Sequence, residues 1–185
     1  MDPLIELTIA WSLAALFAAS TLHKLLALPE WPGVVQSYRL MPQVLAGAAA
    51  WLILGGMALT ACALMWPSTH RLGAVAACLL LTLFGAAMGI NIRRGRTAID
   101  CGCFGSKLRQ GIARWMLIRN GFLALCALAL LLPVHDRELS HLEIAMIAGL
   151  IITLSFLYPV LAVVFQPHPP TYDENHGATA IEGQR

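Results

Sequence analysis

The amino-acid sequence predicts an all-α integral membrane protein, a five-transmembrane-helix bundle with a four-helix core. Composition is the first reason: 58% of residues are hydrophobic, 12% are charged and mean hydropathy is +0.72, outside the range of soluble domains. The second is the length of the apolar runs. Residues 44–66, 72–92 and 144–165 contain no charged side chain, and each exceeds the roughly 18–20 residues that cross a hydrocarbon core as a helix. The third is a pair of further apolar stretches, 3–28 and 112–132, whose few polar groups sit towards one end.

Each span has its own signature. The first, 3–28, opens with Glu6 and closes with His23-Lys24. It is expected to be a retained helix, because its start carries Asp2 and Glu6 and no Lys or Arg, where a cleaved signal peptide needs positive charge. The second, 44–66, follows Tyr38-Arg39-Leu40-Met41-Pro42. The third, 72–92, ends on Asn91. The fourth, 112–132, contains Arg119-Asn120, and the fifth, 144–165, is interrupted only by Pro159 near its end. Residues 1–165 therefore form one transmembrane domain. Residues 166–185, polar and with Pro167, Pro169 and Pro170, are expected to be a disordered tail too small to fold alone. The chain has no internal repeat and no nucleotide-binding glycine loop, and nothing in it points to a nucleic-acid partner. Its surroundings are the lipid bilayer.

Between the third and fourth spans lies Asp100-Cys101-Gly102-Cys103-Phe104-Gly105. A disulfide closed across one intervening residue makes a small ring far from relaxed geometry, which makes it readily reducible. Gly102 lacks a Cβ and eases that closure. Six cations surround the pair in sequence: Arg93, Arg94, Arg96, Lys107, Arg109 and Arg114. They favour the thiolate, the reactive form of Cys101 or Cys103. The bland alternative is a tight basic loop that happens to hold two thiols. A structural zinc site needs four ligands, and only these two cysteines stand close together, so no metal is expected. Cys62, Cys78 and Cys126 stand apart from the pair and from one another. They read as small apolar filler in the bundle.

Five crossings divide the connections by parity. The stretch before the second span, the cysteine loop and the tail share one side. The intramembrane polar residues Lys24, Asn91, Arg119 and Asn120 all approach that side. Arg119, some 10 Å beyond a helix start near Ile112 by a rise of about 1.5 Å per residue, is expected to face a bundle interior rather than to snorkel to head groups.

These residues together resemble the MauE family of methylamine utilisation membrane proteins. The resemblance rests on Lys24, Tyr38-Arg39-Leu40-Met41-Pro42, Asn91-Ile92-Arg93-Arg94-Gly95-Arg96, the Cys-Gly-Cys hexapeptide and Arg119-Asn120, and covers roughly residues 20–130. It implies a role in maturing periplasmic methylamine dehydrogenase, whose small β subunit carries several disulfides and a tryptophan tryptophylquinone cofactor. It also implies a membrane-anchored thioredoxin-like partner, MauD-like, with the β subunit as client. Members of the family often carry a glutamate early in the second helix. This chain has residues 46–51 there, AGAAAW, and no acid. The helix plan is similar to that of vitamin K epoxide reductase homologues and DoxX-like bundles. The former bind a quinone, so a quinone is the one cofactor the resemblance brings in. Those homologues use Cys-x-x-Cys and a second loop pair, both absent from this sequence.

The resemblance implies a bacterial inner-membrane, multi-pass protein with a periplasmic cysteine loop. Charge counting points the other way. Lys24, Arg39, Arg93, Arg94, Arg96, Lys107, Arg109, Arg114 and Arg185 lie on the cysteine side, against Arg71 and Arg137 opposite, and cytoplasmic sides are usually the basic ones. Three functions follow. The expected one is thiol–disulfide exchange by Cys101 and Cys103, supported by Gly102, Lys24, Asn91, Arg119 and Asn120. The others are a non-catalytic scaffold for β-subunit processing or transport, and an electron-importing thiol transporter.

Overall fold

The computed structural model describes residues 2–96, 112, 114–133 and 140–164, with side chains at all of these but 141 and 154–164. Six helices occur among them and no strand: α1 (Pro3–Leu26), α2 (Trp31–Ser37), α3 (Gln43–Met65), α4 (His70–Arg93), α5 (Arg114–Ala129) and α6 (His141–Val164). Each of the five apolar stretches has most of its length in a helix. The sixth helix, α2, lies in the stretch read from sequence as a connection.

Local chemistry sets the helix ends. Asp2 caps α1 by accepting the Leu4 N–H at 2.9 Å, with Pro3 opening the helix and Glu6 in its first turn. An acid there and His23-Lys24 in the last turn both suit the helix dipole. Glu143 reaches back to accept the Ser140 N–H at 2.8 Å, the return arm of a capping box at the start of α6. Before α3, Arg39 takes a left-handed φ of 47°, a conformation that costs a non-glycine residue about 1–2 kcal/mol. Its carbonyl accepts Arg94 Nη1 at 3.3 Å, and Arg96 Nη2 donates to the Ser37 carbonyl at 3.2 Å. Two arginines after α4 thus pin the α2–α3 turn.

Helices α1, α3 and α4 are each long and apolar enough to cross a membrane, which makes this a membrane protein. Large apolar side chains such as Val44, Leu52, Leu59 and Leu72 are accordingly exposed, the pattern of helices that meet lipid rather than water. The main buried cluster joins Leu13 and Phe17 of α1, Met57 and Leu64 of α3, Leu81 of α4, and Ala127 and Leu130 at the end of α5. Helix α1 touches α3, α4, α5 and α6, and α4 packs along α5. A second cluster seats α2 on α3 through Trp31, Val35, Ala46 and Ala50.

Helix α5 begins at Arg114 and ends at Ala129, shorter at both ends than the apolar run 112–132. Residues 130–132 form a turn before Pro133. Of the cysteines read as filler, Cys78 packs against the core but Cys62 is exposed on α3. Helical rotation turns it outward: Ala61 and Leu64, either side of it, take the inward positions.

The far end of the bundle is tied by two contacts. His70 Nε2 meets Glu6 Oε1 at 2.7 Å, joining the starts of α4 and α1. Gly73 lies so close to α3 that an added Cβ would fall 2.8 Å from the Leu64 nitrogen and 2.9 Å from the Ala63 carbonyl carbon. Those are backbone atoms and cannot swing aside. Gly73→Val is expected to destabilise the bundle by about 1–3 kcal/mol, the usual cost of overpacking. Gly55→Val, at a glycine whose added Cβ meets nothing within 4 Å, should be far milder. Thermal unfolding of the two variants in the same detergent checks the contrast.

Candidate functional site

The chain leaves the described structure at Arg96 and re-enters it at Ile112, and both points lie at one end of the bundle. Arg96 hydrogen-bonds the turn after α2. Ile112 packs with Met88 near the end of α4 and with Met116 of α5. Cys101, Gly102 and Cys103 fall between these points and lie outside the described residues. The four other residues expected to support them are described, all at this end.

Lys24 is only 5% exposed. Its ammonium donates to Ser20 Oγ at 2.7 Å and to the Ser20 carbonyl at 3.4 Å, and it stands 4.8 Å from the centre of the Trp31 ring. Trp31 is itself fixed, its Nε1–H donating to the Ala50 carbonyl at 2.9 Å. A buried cation in a membrane span is costly. Here a hydroxyl, a carbonyl and an aromatic face replace part of its hydration. Helix α2 therefore has a clear use: it carries the indole that holds Lys24.

Arg119 is half-buried and five residues from the start of α5, about 7.5 Å along the helix, shallower than the sequence suggests because α5 starts later. Its guanidinium lies 5.5 Å from the Trp115 ring. Four residues separate the two, so they share one helix face. Asn120 is 4% exposed.

Lys24, Arg119 and Asn120 line a single cavity of about 90 Å³, with Ser20, Trp31 and Tyr38. Apolar walls come from Phe17 of α1 and from Leu81, Phe84 and Met88 of α4. The cavity is thus an apolar chamber whose formal charges, among the described lining, are both positive. Asn91 is not part of that lining. It is wholly buried on α4, where Nδ2 donates to the Ala87 carbonyl at 3.0 Å. Its Oδ1 is buried without a hydrogen-bond partner among the described residues, which leaves it an acceptor for a group beyond them.

Three residues escape the sequence reading: two of the lining, and one that stands beside Arg119. Trp31 hides in a seven-residue helix, and Ser20 looks like any small residue of an apolar span. Trp115 was legible in principle, since Trp-x-x-x-Arg puts a ring beside a guanidinium on any helix.

Comparison with known proteins shows which family the chain belongs to. The family model described as methylamine utilisation protein MauE matches residues 2–133. Methylamine utilization protein MauE of Paracoccus versutus is 38% identical over 174 residues, covering 92% of this chain and 94% of that protein. The protein of the same name from Methylorubrum extorquens is 44% identical over 140 residues, 72% of this chain and 73% of its own. That of Methylophilus methylotrophus is 32% identical over 174 residues, 89% and 88% of the two chains. No solved structure matches the chain. A helical membrane protein alike to these relatives along most of its length belongs to the MauE family of methylamine utilisation proteins.

Proposed function

We propose that this protein helps mature the small subunit of methylamine dehydrogenase by thiol–disulfide exchange at Cys101 and Cys103, in concert with a membrane-anchored thioredoxin-like protein. The observation that carries the reading is the Cys-Gly-Cys sequence itself, in a member of a methylamine utilisation family. It joins the end of α4 to the start of α5, the bundle end where Lys24, Tyr38, Asn91, Arg119 and Asn120 gather. In this scheme α1, α3, α4, α5 and α6 make five crossings of the bacterial inner membrane, and the helices that build the main buried cluster form a four-helix core. The cysteine loop is periplasmic, where a disulfide-rich client would meet it.

The exchange is balanced between the loop pair and two thiols of the partner. A thiolate of the partner attacks one sulfur of the Cys101–Cys103 disulfide. That S–S bond breaks, a mixed disulfide forms, and the other cysteine leaves as a thiolate. The partner's second cysteine then attacks the mixed disulfide, so the partner leaves as a disulfide and Cys101 and Cys103 are left as a dithiol. Run in reverse, that dithiol gives two electrons to a partner disulfide and its own S–S bond re-forms. Nearby cations stabilise the leaving thiolate.

The charge count remains the specific observation in favour of a cytoplasmic loop and an electron importer. Its weight is lessened by the use of two of those cations: Arg94 and Arg96 hold the α2–α3 turn, a task they would have on either side of a membrane. Labelling intact cells with a membrane-impermeant maleimide tests the placement, with Cys103 as the sole remaining cysteine of the loop. A periplasmic loop predicts labelling without permeabilisation. Labelling only after permeabilisation would replace the oxidative reading with the importer.

A further inference from the structure

We propose that the cavity enclosed by α1 to α5 binds an uncharged ring bearing a carbonyl or hydroxyl oxygen, carried on an apolar tail and delivered from the bilayer. Six lining side chains carry nitrogen or oxygen, and five of them are engaged elsewhere. Ser20 Oγ accepts the Lys24 ammonium, and the Trp31 Nε1–H donates to the Ala50 carbonyl. Lys24, Tyr38 and Arg119 are each held by further groups. Asn120 is the exception. It is 4% exposed, and its amide makes no hydrogen bond among the described residues. A Cβ added at Gly85 would lie 3.9 Å from the Asn120 Cβ, so the residue sits against α4 at the cavity wall. Buried amides are nearly always hydrogen-bonded, and here the cavity is where a partner can stand.

The lining selects the ligand. A primary amide offers both donors and an acceptor: its Nδ2–H pairs with a carbonyl oxygen, and its Oδ1 with a hydroxyl. What carries that oxygen follows from the walls. Phe17, Trp31, Tyr38 and Phe84 are aromatic, and Met57 and Leu81 are apolar. Rings gain on rings beyond their buried area, and thioethers also favour ring contacts. Water is the competing occupant. It needs about two to four polar partners, and five of the six polar side chains are engaged. A carboxylate or phosphate would have to shed its water against the same walls, beside cations that already have partners. Size sets the head group. A closed apolar cavity of about 150 Å³ takes up benzene, and this one has about 90 Å³ with a way out. Ala19 lines the cavity and is also exposed on the outer surface of α1, within an apolar span. An unsubstituted six-membered ring can therefore sit at the mouth, its oxygen towards Asn120 and its tail along the lipid-facing surface.

This assignment does not rest on the redox reading, because occupancy is measured without any thiol chemistry. The full-length protein in detergent micelles is offered probes that share a decyl tail: 4-decylphenol, 2-decyl-1,4-benzoquinone and decylbenzene, whose ring has no oxygen. Pairs of probes compete at equal mole fraction in the same micelles, and native mass spectrometry reads which one is bound. At least one oxygen-bearing ring is expected to bind tenfold or more tightly than decylbenzene, which leaves the buried amide unpaired. A phenol preference assigns the site to a ring hydroxyl, and a quinone preference to a ring carbonyl. Decanoate, charged and without a ring, is expected to bind more weakly than the preferred ring.

Asn120→Leu removes the amide at nearly constant volume. It should cut the preference for the oxygen-bearing ring to below threefold while still binding decylbenzene, which separates loss of the hydrogen bond from loss of the chamber. Thr82→Val, at an exposed position of α4 where the hydroxyl bonds only its own helix, should leave the preference unchanged. Ala19→Trp crowds the opening from an exposed position and is expected to lose all the ring probes while keeping the wild-type melting temperature. Should Asn120→Leu fail to fold, Ala19→Trp and the wild-type competition decide. A preference below tenfold for both oxygen-bearing rings, tighter binding of decanoate, the full preference retained in Asn120→Leu, or unchanged binding in Ala19→Trp would overturn the proposal.

Discussion

Replacing either Cys101 or Cys103 with serine is expected to abolish maturation of the methylamine dehydrogenase small subunit, a fall of at least tenfold in its accumulation. Exchange needs two sulfurs. One accepts the attacking thiolate, and the other leaves as a thiolate and later returns to close the ring. Serine cannot form the S–S bond, so one substitution removes the complete cycle rather than half of it. The remaining cysteines supply the internal control. Cys62 is exposed on α3, and Cys78 and Cys126 are half-buried on α4 and α5. Alanine at any of them trades a thiol for a methyl group at little packing cost, below about 1.5 kcal/mol by the usual range for tolerated swaps. Small-subunit accumulation in cells induced with methylamine checks both halves of the prediction, with immunoblots confirming equal amounts of each variant in the membrane. Normal accumulation in both serine variants would leave the scaffold role as the function.

Much of this fold was legible because membrane helices announce themselves by length. Residues 44–66 and 72–92 need only be counted, and α3 and α4 coincide with them within two residues at each end. Helix α2 was not legible in that way. Seven residues make barely two turns, and its two buried positions, Trp31 and Val35, give a single i, i+4 step that cannot establish a period. The signal it did carry was Pro32 in the first turn, a common helix opener.

The site divides along the same line. That Lys24, Asn91, Arg119 and Asn120 approach one end follows from parity alone. Which of them share a chamber does not, because it depends on how each helix is rotated about its axis. In helices apolar all round, no polar face marks that rotation. Asn91 illustrates the gap. Its place at the end of α4 was expected, yet it is not part of the cavity lining, and its amide donates to the helix backbone. Arg119 and Lys24 were expected as neighbours of the cysteine loop. Of their aromatic supports, Trp115 follows from its four-residue spacing to Arg119, whereas Trp31 emerges only with the packing of α2.

The most direct measurement of the central claim is capture of the exchange intermediate. If a partner thiolate attacks the Cys101–Cys103 disulfide, each turnover passes through a covalent link between the two proteins. With one loop cysteine replaced by serine and the partner's resolving cysteine also removed, an added thiol oxidant such as diamide takes the two electrons that the missing disulfide would have accepted, and neither sulfur beside that link can release it. The linked species should then accumulate to a large fraction of the protein, where the wild type shows almost none. On a non-reducing gel, membranes from cells expressing both variants are expected to show a new band at the summed mass of this 19.9 kDa chain and the thioredoxin-like protein. Reductant should abolish the band, and so should serine at both loop positions. Such a band, attached through Cys101 or Cys103, is the predicted result. Its absence, with both proteins present and the partner's attacking cysteine intact, would contradict direct exchange.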